Sequence, residues 1–64
     1  MKYTVIVGNI GTVHTGDYRR KAIFEFVQYR MASKAGTGRA GHEPVTLFED
    51  NEILMEHNPD QGDV

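Results

Sequence analysis

Apolar and β-branched residues crowd the start of the chain, where Tyr3, Thr4, Val5, Ile6 and Val7 run unbroken to Gly8. A run this short, ended by glycine, predicts a strand from Lys2 to Val7 with both faces largely covered. The following nine residues, GNIGTVHTG, contain three glycines and predict a loop, with Ile10 and Val13 able to tuck under the fold. The period then changes. From Asp17 to Ala35 apolar side chains recur at helical spacing, which predicts a helix with Thr15 as its N-cap, Asp17 in the first turn and Gly36 in the C-cap region. Phe26, Ile23 and Val27 centre the apolar arc, flanked by Tyr18, Ala22 and Tyr29 on one side and by Phe24 and Met31 on the other. That arc is wider than one small sheet can bury.

After Pro44 the pattern shortens again. Val45 to Glu49 and Glu52 to His57 read as strands joined by a two-residue turn at Asp50-Asn51. The expected register sets Leu47 against Leu54 on one face, and Phe48 against Ile53 and Thr46 against Met55 on the other. Both faces of the sheet are then partly apolar. The final NPDQGDV is polar, acidic and broken by proline and glycine, so residues 58–64 are expected to form a disordered acidic tail.

The fold class that follows is α+β: one domain over residues 1–57, in the order β-α-β-β, with a three-stranded, mainly antiparallel sheet and one helix on one face. A right-handed crossover brings the first strand beside the last in an antiparallel sheet, the preferred arrangement, or beside the second in a mixed one.

Size and composition narrow the function. A chain of 64 residues without cysteine buries only about 60% of its unfolded surface and has no disulfide or thiolate zinc site to help it. Packing, dimerisation or a partner must supply the remainder. No apolar run approaches the roughly 18 residues of a membrane span, and the N-terminus lacks a signal-peptide pattern. A cytoplasmic location is expected. Rigid first and second shells around a reaction centre are hard to spare in so small a core, so a non-enzyme is expected.

Two glycine patterns invite a phosphate-binding interpretation. GTGRAG at residues 36–41 has the G-x-G-x-x-G spacing, but it follows a helix and precedes a strand, the reverse of the dinucleotide-binding context. GTVHTG at residues 11–16 has Walker-type glycine spacing, yet Asp17 and Tyr18 stand where lysine and a hydroxyl residue belong. His14, His42 and His57 lack metal-ligand spacing and are expected to be scattered surface residues. No nucleophile has a companion base that the sequence can place. No cofactor and no metal are therefore expected.

Charge changes the picture most. All seven basic residues precede position 43, where only Asp17 and Glu25 are acidic, whereas residues 43–64 carry seven acidic residues and no basic one. The two parts hold +5 and −7, hidden inside a net charge of −2. Arg19, Arg20, Arg30, Lys34 and Arg39 are candidate contacts for an anion or a nucleic acid. Glu49, Asp50, Glu52 and Glu56 are candidate contacts for a basic protein surface, with Phe24, Met31, Phe48, Ile53 and Met55 as the apolar interface. The pI of about 5.8 weighs against nucleic acid.

The combination of TVIVGNIG, GTGRAG and VTLFEDNEI resembles short uncharacterised proteins of phages and mobile elements. That resemblance implies a small inhibitor or adaptor aimed at a host or defence complex. The expected function is thus protein binding, with a homodimer formed through the uncovered sheet face or the Phe24–Met31 flank. The alternative is a nucleic-acid-binding regulator that uses the basic helix.

Overall fold

The computed structural model describes residues 1–36 and 38–59. Its elements are β1 (Tyr3–Val7), β2 (Gly11–Gly16), α1 (Arg19–Ala35), β3 (Val45–Glu49) and β4 (Glu52–His57). The sheet has four strands, not three, in the order β2-β1-β3-β4, and every neighbouring pair is antiparallel. The segment expected to be a loop is β2. Its β-branched Thr12, Val13 and Thr15 favour extended backbone, and the turn before it closes with the Ile10 N–H donating to the Val7 carbonyl at 3.0 Å.

This extra strand also corrects the strand order. Because β2 reverses the chain before the helix begins, the crossover returns at the opposite end of the sheet and lays β3 antiparallel against β1. The first strand lies beside the third, not beside the last. The tail expected at 58–64 is described only at Asn58 and Pro59; the rest lies outside the described residues.

Cross-strand pairs form five rows, and alternate rows face α1. The helix side holds Tyr3, Val5 and Val7 with Val45 and Leu47, all buried. Ala22 and Phe26 of the helix and Ala40 of the following connection complete that core. The far side holds two rows, Thr15–Thr4–Phe48–Ile53 and Thr12–Ile6–Thr46–Glu56.

Each edge strand carries a bulge. The register slips between Val5 and Ile6 against β2, and between Leu47 and Phe48 against β4. The extra residues, Val13 and Leu54, are both partly buried against the core. The two hairpins are thus related by an approximate two-fold axis through the Val5–Leu47 pair. The second bulge corrects the expected register: Leu47 lies opposite Met55 and Thr46 opposite Glu56, while Phe48 does lie opposite Ile53.

Helix α1 starts two residues later than expected. Tyr18 is its N-cap with no side-chain cap bond, there is no acidic residue in the first turn, and Thr15 belongs to β2. The end is as expected, with Gly36 in the left-handed region at φ 71°. From there the connection is tied back onto the helix. The Ser33 carbonyl accepts the N–H groups of Gly36 at 3.2 Å and His42 at 3.0 Å, and the buried Ser33 hydroxyl donates to the Glu43 carbonyl at 2.7 Å. The connection after α1 is therefore anchored to the helix end at Gly36, His42 and Glu43.

Candidate functional site

The acidic candidates separate into two kinds. Glu49 lies opposite Tyr3 in the first helix-side row, and the Tyr3 hydroxyl donates to its Oε2 at 3.0 Å. Asp50 has φ 55° and closes the hairpin turn. It also fastens the N-terminus: its N–H donates to the Lys2 carbonyl at 2.6 Å, and its Oδ1 accepts the Lys2 N–H at 3.0 Å. These two carboxylates serve the fold. Glu52 and Glu56 are exposed on β4, the outer strand, with Glu56 in a far-side row.

Burial pushes the Tyr3 phenol above its ordinary value of 10.0, and the hydrogen bond to Glu49 and that residue's negative charge push in the same direction. The positive charge of Arg19 opposes the rise and Asp50 adds a little to it.

The basic candidates are divided by the length of the helix. Arg19 and Arg20 occupy its first turn, while Arg30 and Lys34 approach its end and Arg39 lies in the connection beyond. From Arg20 to Lys34 the axial separation is about 21 Å at 1.5 Å per residue. Arg20 shares an open hollow with Lys21, Phe24, Glu25 and His14, and Arg39 borders a different one with Ile10, Tyr29 and Ala32. No lysine or arginine lies in any of the four strands.

The apolar candidates occupy three places. Phe24 and Met31, 60% and 58% exposed, are two helical turns apart on the outer side of α1. Phe48 and Ile53 pair on the far side of the sheet, where Ile53 is 57% exposed. Met55 is separated from them by the β4 bulge and shares the helix-side row of Leu47.

The far side is shallow. Thr4, Ile6, Phe48, Asp50 and Asn51 surround an open hollow of ≈ 260 Å³, below the roughly 300–1,000 Å³ typical of small-molecule pockets. Its shape suits a flat contact better than an enclosed ligand. Sequence reasoning missed the threonines that complete this face, because three of them, Thr4, Thr12 and Thr15, need the four-strand register to bring them together.

Of the histidines, His57 is buried at the end of β4 and pairs with Val45, which corrects its expected place on the surface. His14 sits half-buried in β2, and its buried Nε2 has no hydrogen-bond partner among the described residues. Among those residues no group of three or more His, Asp or Glu side chains is arranged to hold a metal ion. No described helix is long and apolar enough to cross a membrane. No family model, curated protein or solved structure matches the chain.

Proposed function

We propose that this chain is a small non-enzymatic protein-binding module that docks through the far side of its sheet. Phe48 and Ile53 are the apolar anchors, and Glu56, in the neighbouring far-side row, supplies negative charge, whereas Glu52 falls in the helix-side row of Tyr3 and Glu49. The observation that carries this reading is the pairing of Phe48 with a largely exposed Ile53 on a sheet face that no element covers among the described residues. Apolar anchors within a polar surround are the usual anatomy of a protein interface. The preferred partner presents apolar side chains and positive charge, as does a surface that otherwise holds nucleic acid. The resemblance to phage and mobile-element proteins makes an inhibitor or adaptor of a host or defence complex the working assignment, inside the cytoplasm.

The alternative, nucleic-acid binding by the basic helix, is weakened by the division of its cations between two ends of α1. Affinity capture from native cells with the wild-type chain and with Ile53→Lys tests the first reading. The captured protein is expected to be lost with the variant while circular dichroism stays unchanged. Fluorescence anisotropy with single-stranded and duplex oligonucleotides tests the second. Affinity that falls steeply with salt and vanishes in Arg19→Ala/Arg20→Ala/Arg30→Ala would replace protein docking with nucleic-acid binding.

A further inference from the structure

Among the described residues, two uncovered apolar surfaces lie on opposite sides of this two-layer molecule. One is the outer side of α1, where Phe24 and Met31 are more than half exposed and Arg20 and Lys21 are exposed beside them. The other is the far side of the sheet, with Phe48, Ile53 and Glu56. We infer that a second copy of the chain covers the open sheet face with the outer side of its α1, head to tail. The inference rests on the docking role proposed above and names the partner.

Charge selects this pairing over a homodimer that joins two sheet faces or two Phe24–Met31 flanks. Helix against helix sets Arg20 and Lys21, which outweigh the single Glu25 beside them, on a surface of the same net sign. Sheet against sheet brings Glu56 of both copies to one interface, with no lysine or arginine in any strand to offset them. Only helix against sheet joins opposite signs, and unlike charges across an interface both guide the approach and penalise the wrong pairing. Helix on sheet is also the contact already made inside the molecule, where Phe26 joins Val5 and Leu47 in one core. Because the two surfaces face opposite ways, one contact cannot close on itself. Each added copy leaves a bare helix at one end and a bare sheet at the other, so growth continues past the dimer.

Sedimentation velocity of the full chain over a concentration series tests this. The weight-average mass is expected to rise steadily with concentration and to fall when salt is added. Phe24→Asn disables the helix side and Ile53→Lys the sheet side, at positions exposed enough to keep the fold, and each variant alone should remain a monomer. Mixed in equal amounts, they retain one good contact, between the sheet of the first and the helix of the second. The mixture should therefore form dimers and nothing larger. A mixture that stays monomeric, or either variant associating by itself, overturns the inference. A wild-type chain that is monomeric at every concentration also overturns it, and capture of another protein that still depends on Ile53 then leaves the docking surface standing. Self-association that ignores Ile53→Lys removes both.

Discussion

Tyr3 shows how much one side chain can connect. Its ring is buried under the helix, and its hydroxyl reaches Glu49, 46 residues away in sequence. The folded chain holds the phenolic proton more tightly than the unfolded one, because burial and the neighbouring carboxylate both disfavour the phenolate. This contribution to stability is complete below pH 10 and is lost as pH rises through the elevated folded-state value. Urea unfolding at successive pH values should show the wild-type chain weakening above pH 10, and Tyr3→Phe should flatten that decline. The phenolate absorbance missing from the variant's titration should have its midpoint above 10. The sequence marked Glu49 as a partner contact, since spacing alone does not reveal a long-range acceptor. It also marked Ile53, which the structure leaves exposed opposite Phe48, because an apolar residue on the second strand of a hairpin must face one side or the other.

Among the elements, α1, β3 and β4 were legible because their periods are clean and their ends carry turn residues. β2 was not, since Gly11 and Gly16 enclose only four other residues and their loop signal outweighs the β-branched signal of Thr12, Val13 and Thr15. The bulges were equally hidden: a one-residue slip follows from the whole sheet's packing rather than from either strand. GTGRAG shows why a glycine pattern needs its surroundings. A Cβ on Gly36 would lie 2.6 Å from His42 Nε2, and one on Gly41 would lie 2.7 Å from the Gly36 carbonyl carbon. Here the glycines allow the chain to fold back on itself. Gly36→Ala meets both an unfavourable φ and the His42 ring, whereas Gly38→Ala has φ 65° but nothing within 4 Å of its Cβ. The unfolding free energy from urea titration should fall in both, by about 1 kcal/mol for Gly38→Ala and about 2–3 kcal/mol for Gly36→Ala.

For the whole molecule, the margin is narrow. A chain of 64 residues has a stability of about 3–10 kcal/mol at the usual per-residue values. Phe26 joins the helix to the sheet and is almost fully buried, so Phe26→Ala should remove about 3–5 kcal/mol. Thermal unfolding followed by circular dichroism should show a large drop in midpoint, or no cooperative transition at all. The surplus of apolar surface was legible from the width of the helical arc and from the two-sided hairpin; which side each residue takes depended on the fourth strand. That strand completes a sheet whose two rims are both kinked, at Val13 and at Leu54. A stray extended segment from a neighbouring or half-unfolded chain finds no straight ladder to zip onto at either rim. Crowded molecules of this protein should therefore meet broadside, stay dissolved, and part again when the salt is raised.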